Sequence, residues 1–210
     1  MAVEHYLVVR NLMYRSVYNH RLNVVCNWLL ERLVRLARQL GPDLVWADGV
    51  MQRWLWNAEE LDLDSFLAND DVRTGYHLQR WQEEGPPALA ILCRRFRERD
   101  LLKATAVTQL TREEQLQALA VAGRLAEQRG IDPSLSCGLR HQELRGYHPY
   151  RGGLRLWDGE QMQALEEASP LVASLATPAA TSWLIHPREI QKELRRTMDV
   201  EWGSSLTSDR

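Results

Sequence analysis

The sequence predicts a predominantly helical α+β fold, a helical bundle with a long first helix followed by a small strand-containing part. Three observations carry this. Apolar residues recur at spacings of three and four through most of residues 4–130, the period of amphipathic helices. Start signals punctuate the same region, with Asn69 or Asp70 ahead of one run and the capping box Thr111-Arg-Glu-Glu114 ahead of another. From Asp132 onward, Pro133, Gly138, Gly146, Pro149 and Gly152-Gly153 cut the chain into short runs that read as strands and turns.

The first helix is expected from about residue 4 to residue 40, spanning about 55 Å. Within it, Leu22, Cys26, Leu29, Leu33, Leu36 and Leu40 alternate spacings of four and three, a seam for packing on another helix. Gly41-Pro42 ends it. Asp43 to Trp56 reads as a turn and a short helix, leading into another around Glu60 to Leu67. The carboxylate pairs Asp62-Leu-Asp64 and Asp70-Asp71 stand at helix starts, where capping and compensation of the helix dipole are their ordinary roles.

A helix over Val72 to Glu84 is broken by Gly85-Pro86-Pro87, and the next runs from Ala88 to about Arg99. The Thr111 capping box opens a helix to about Arg129, closed by Gly130. Beyond it, Leu154 to Trp157 reads as a short strand, Asp158-Gly159 as a turn, and Glu160 to about Leu175 as a helix. A small-residue link, Ala176 to Thr181, leads to a strand at Trp183 to His186 and a basic helix from Pro187. The tail from Thr197 is expected to fray. The organisation is thus a helical region over 1–130, a small α+β part over 131–196 and a tail over 197–210.

Composition narrows the function classes. With 210 residues and 45% hydrophobic content, the chain can bury a sizeable core. Its 26 basic and 28 acidic residues give a net charge of −2, so nothing global marks a polyanion binder or a membrane-surface protein. The basic stretches at Arg94-Arg95, Arg97, Arg99 and Lys103, and at Lys192, Arg195 and Arg196, lack a groove-reading or stacking motif. They read as solvated helix faces, and no nucleic-acid partner is expected. Cys26, Cys93 and Cys137 are widely spaced and odd in number, which fits reduced thiols rather than a disulfide framework or a zinc knuckle. No apolar stretch reaches about 18 residues, and Glu4, His5 and Arg10 interrupt any apolar start. No membrane segment and a cytoplasmic location are the expectations.

The residues that carry chemistry sit near the start. Arg10, Tyr14 and Tyr18 recur every four residues, one slanted stripe on a helix. A planar guanidinium beside phenols suits recognition of phosphate and sugar. By pattern alone, the usual reading of such a stripe is a face whose tyrosines pack in the core while the arginine pairs with a nearby carboxylate. Gly152-Gly153 lacks the Gly-x4-Gly-Lys context of a phosphate loop and reads as a turn.

Glu4, Arg10, Met13, Tyr14, Val17, Tyr18 and His20 together resemble the pocket-lining helix of HD-domain phosphohydrolases, of the form Glu-x-x-x-x-x-Arg-x-x-Met-Tyr-x-x-Val-Tyr-x-His. The branch is that of bacterial deoxynucleoside triphosphate triphosphohydrolases and the vertebrate sterile-alpha-motif and HD-domain enzyme. The tryptophan helix Asp70 to Gln82, Arg99-Asp-Leu-Leu-Lys103, Tyr147-His-Pro-Tyr150 with Leu154-Arg-Leu-Trp157, and Trp183-Leu-Ile-His-Pro187 extend the resemblance to about residue 196.

One part of the family pattern is missing. The family's metal is held by a histidine, a His-Asp dipeptide and a later aspartate, all upstream of this helix. No His-Asp dipeptide occurs here. His5, His20, His77, His141, His148 and His186 form no close ligand pair, and His5 and His20 on one helix would stand about 22 Å apart. His148 and His186 each precede proline, a context for extended or turn backbone.

The resemblance therefore implies the C-terminal half of a phosphohydrolase whose full-length relatives release triphosphate from deoxynucleoside triphosphates with metal-activated water. It implies that Arg10 neutralises phosphate charge while Tyr14 and Tyr18 pack on sugar or phosphate. Tyr14 stands where the vertebrate relative has histidine, and a phenol is a poor acid at neutral pH. No catalytic residue, cofactor or metal ligand is expected in this chain, and a divalent metal enters only with an HD-containing half. The partners implied are an HD-containing chain or a second copy, with a deoxynucleotide as ligand. The alternative is a non-catalytic assembly or nucleotide-binding module that docks on an HD-containing partner.

Overall fold

The long first helix is broken in two. The computed structural model describes residues 2–148, 153–157 and 159–203. In it, α1 (Ala2–Met13) runs into a single π-helical turn, Tyr14–Tyr18, and α2 (Arg21–Leu40) starts afresh beyond it. His20 adopts extended backbone, φ −61° and ψ 140°, and its ring nitrogen accepts from the Leu22 N–H as the N-cap of α2. A continuous rod over residues 4–40 is therefore corrected to two helices, and His5 and His20 do not share one. The α2 seam is shifted as well. Val24, Val25, Trp28, Leu29, Leu33 and Ala37 are its buried residues, while Leu22 is exposed.

Carboxylates cap the next helices, at Asp62 and Asp70 as their positions suggested and at Asp48 besides. Asp48 caps α3 (Gly49–Leu55), Asp62 caps α4 (Leu63–Ala68) and Asp70 caps α5 (Asp71–Glu84). In each case a side-chain oxygen accepts from the N–H groups of the first turn, which the helix itself leaves unpaired. Pro87 opens α6 (Pro87–Arg97), where its missing N–H costs nothing. A short strand follows, β1 (Lys103–Ala106), in a stretch read as part of the helical region. Both bonds of the Thr111–Glu114 capping box form at the start of α7 (Arg112–Gln128).

The single helix expected over Glu160 to Leu175 is replaced by three elements. After α8 (Pro133–Ser136), β2 (Gly138–Leu144) and β3 (Arg155–Trp157) come β4 (Met162–Ala164), α9 (Leu165–Ala168) and α10 (Pro170–Ala176). Pro170 is the physical reason, since a proline ring and its missing N–H break a helix interior. The link Ala176 to Thr181 is partly strand, because β5 (Ala179–His186) begins within it. α11 (Gln191–Trp202) reaches Trp202 and buries Met198, so the tail starts later than Thr197. Tyr150 of the Tyr147-His-Pro-Tyr150 motif, Gly152 and Asp158 lie outside the described residues.

β5 is the centre of a three-stranded antiparallel sheet of order β1-β5-β2. Its register places Ala106 and Arg140 on either side of Trp183. Alternation along β5 divides the core in two. Ile185 packs with Val25, Leu29 and Leu33 of α2 and with Leu89 and Leu92 of α6, whereas Leu184 packs with Ala118 and Ala122 of α7 and Leu194 and Met198 of α11. A third, smaller cluster joins Leu7 of α1 to Tyr147, Leu165 and Val172. No helix among the described residues is long and apolar enough to cross a membrane.

Candidate functional site

Arg10, Tyr14 and Tyr18 come together on the outside of the molecule. The Arg10 guanidinium carbon lies 5.0 Å from the centre of the Tyr14 ring, a cation–π contact. The Tyr14 and Tyr18 rings are 5.0 Å apart and tilted by 43°, a favourable aromatic arrangement. Tyr14 is 37% exposed and Tyr18 55%, so the rings are not core residues. They line a cavity of about 310 Å³ with Tyr6, Val9 and Met13. Leu7 of α1 is buried and anchors the helix. A second anchor is the Ser169 hydroxyl, which donates to Glu4 at 2.6 Å and holds its carboxyl below the usual carboxylate range.

The same helix break opens a larger cleft. About 920 Å³ in volume, it lies between the corner of α1 and α2, the strands and α11. Arg15 and Arg21 from the corner and Arg195 from α11 face it, against one carboxylate, Asp199. Trp183 lines it too, and its buried indole N–H has no hydrogen-bond partner among the described residues. Three arginines lining one open volume against a single carboxylate give it positive charge. The sequence reading missed it, because the three are far apart in the chain and only the fold joins them. A separation of six between Arg15 and Arg21 is no helical signal.

Other groups with catalytic potential are held in inert arrangements. Ser182 and His141 lie 2.8 Å apart, and the Arg112 guanidinium donates to the far ring nitrogen of His141 at 2.6 Å. That nitrogen must accept, so the proton sits on Nδ1 and points at Ser182, the reverse of a general base activating a nucleophile. Burial pushes the Cys93 thiol up to about 12, and raises Cys26 and Cys137 as well. Protonated thiols are poor nucleophiles. The divalent ion that the resemblance implies finds no fitting donor set, since no three His, Cys, Asp or Glu side chains converge among the described residues.

No protein-family model matches the chain. An uncharacterized Bacillus subtilis protein, YwfO, is 26% identical over 199 residues, which is 90% of this chain and 45% of that protein. Among solved structures, a phosphohydrolase from Bacteroides thetaiotaomicron matches with a TM-score of 0.69 and 19% identity, over 89% of this chain and 50% of its own. The chain shares its fold with part of a phosphohydrolase. A hypothetical protein from Aquifex aeolicus matches with a TM-score of 0.59 and 20% identity, over 94% of this chain and 44% of its own. The chain thus spans about half the length of the proteins it matches.

Proposed function

We propose that this chain supplies one wall of the nucleotide pocket of an HD-type phosphohydrolase acting on deoxynucleoside triphosphates. The observation that carries the reading is the exposed Arg10, Tyr14 and Tyr18 stripe on a fold shared with half of a phosphohydrolase. A guanidinium on the phosphates neutralises charge that water would otherwise screen, and two phenol rings offer flat faces and hydroxyls to a sugar. The metal-bearing half comes from outside these residues, so this chain's part is binding and orientation.

The test is release of triphosphate from dGTP with Mn²⁺ or Mg²⁺, with and without an HD-containing half. Turnover only with that half, reduced by Arg10→Ala, is the expected result. Turnover by the isolated chain would refute the division of labour, and turnover unaffected by Arg10→Ala would refute the role of the stripe.

A second reading, a non-catalytic nucleotide-binding module, draws on the arginine cleft. Inorganic tripolyphosphate, titrated calorimetrically, is expected to bind there and to weaken as salt rises. Loss of about tenfold for each of Arg15→Ala, Arg21→Ala and Arg195→Ala corresponds to one charge-assisted contact apiece. Binding indifferent to all three would remove this reading.

A further inference from the structure

The π-helical turn is held by two asparagines. The Tyr14 carbonyl accepts twice from Asn19, from its backbone N–H at 2.8 Å and from its side-chain Nδ2 at 3.0 Å. The Val17 carbonyl accepts from Asn23 Nδ2 at 2.7 Å, and weakly from the His20 N–H at 3.4 Å. A helix ending at Tyr18 leaves these carbonyls without intrahelical donors. The amides of Asn19 and Asn23 take that role from beyond the break.

This turn has a geometric consequence for the stripe. In an α-helix, side chains four apart wrap around the axis by about 40°. A π turn is wider, with roughly 4.4 residues, so four residues fall about 33° short of a full turn. Arg10 to Tyr14 lies in α geometry and advances; Tyr14 to Tyr18 lies in π geometry and turns back. The two offsets nearly cancel, so Tyr18 stands almost directly along the axis from Arg10, with Tyr14 about 40° round between them. A regular helix would carry Tyr18 about 70° further round, away from the cavity that it shares with Tyr14 and Arg10.

We infer that Asn19 and Asn23 are positioning residues: they hold the π turn that keeps Tyr18 on the same ligand-facing side as Arg10 and Tyr14. The inference rests on the reading of that stripe as a nucleotide wall, and it adds two residues that do not line the stripe's own cavity. Helix propensity makes the device reversible by mutation. Alanine at both positions removes the two side-chain amide donors, leaving only backbone N–H groups, and favours continuous α-helix.

The test is NMR of the full chain with labelled tyrosine rings, comparing wild type with the double variant Asn19→Ala, Asn23→Ala. Without ligand, the wild type is expected to show ring-to-ring proximity signals between Tyr14 and Tyr18, and the variant to lose them while amides of α5 to α7 keep their shifts. On titration with dGTP, wild-type ring shifts are expected to move, and the variant to bind about tenfold more weakly, one charged contact's worth. Retained proximity in the variant, or equal dGTP affinity, overturns the positioning role alone. Absence of any ring response to dGTP in the wild type overturns the nucleotide-wall reading and the ligand role with it. Should the double variant not fold, Asn23→Ala alone, at an exposed position, carries the same comparison.

Discussion

His186 shows how a buried residue ties the fold to pH. It is fully buried at the end of β5, with Nδ1 2.9 Å from the Pro187 carbonyl and Nε2 3.0 Å from the Thr105 hydroxyl. The carbonyl can only accept, so Nδ1 donates and Nε2 accepts from Thr105, which fixes a neutral tautomer. Burial holds its pKa below the ordinary histidine value, outweighing the hydrogen bond to Pro187 that favours protonation. In the unfolded chain the same ring titrates near 6.5. Below that pH the unfolded state takes up a proton that the folded state resists, so this contribution is complete above about pH 6.5 and is lost as pH falls towards the folded pKa. The urea midpoint is expected to drop between pH 7 and pH 5. His186→Asn should cost about 1–3 kcal/mol at pH 7.5 and flatten that slope; parallel slopes for the two proteins would assign the pH dependence elsewhere. At Gly138 the constraint is volume. An added Cβ would lie 2.6 Å from the Trp28 ring, so Gly138→Ala should destabilise by about 1–3 kcal/mol in a urea melt through overpacking, and a neutral result would show that Trp28 yields freely.

Thr111→Ala removes a helix cap at the scale of one element. The Thr111 hydroxyl accepts from the Glu114 N–H while the Glu114 carboxylate accepts from the Thr111 N–H. Losing this pair should cost about 1 kcal/mol, read as a lower thermal midpoint with an unchanged helical signal; an unaltered midpoint would make the box redundant. Such caps explain why this part of the fold was legible. Asp62, Asp70, Thr111 and the Pro86-Pro87 start act within a few residues of themselves, so spacing alone reveals them. The π turn was not legible, because the residues after it continue a helical apolar pattern and only the Asn19 and Asn23 amides mark the break. β1 was hidden for another reason: its four residues, Lys-Ala-Thr-Ala, carry weak strand propensity, and its pairing with β5 lies about 80 residues away. The stripe was readable from its spacing, whereas the cleft was not, since Arg195 joins Arg15 and Arg21 only through the sheet.

At the scale of the whole molecule, the stripe's face is larger than the stripe. Tyr6 is 63% exposed, Val9 49%, Met13 45% and Val17 54%, an exposed apolar strip beside Arg10 along α1 and the π turn. Contiguous apolar surface of this kind marks an interaction site more often than a free surface. The chain spans about half of the phosphohydrolase whose fold it shares. Side chains already in water contribute little to this chain's own stability, and surface substitutions generally stay within about 0.5 kcal/mol. Val9→Glu with Met13→Glu should therefore leave the thermal midpoint of the isolated chain nearly unchanged, since glutamate is a good helix former. The same pair should abolish capture of an HD-containing half and the dGTP turnover that depends on it, because two carboxylates would be buried without partners. Loss of both stability and capture would show that α1 is held by its exposed face rather than by Leu7 and Ser169. Stability and capture both retained would move the contact surface off α1 and leave the stripe facing solvent.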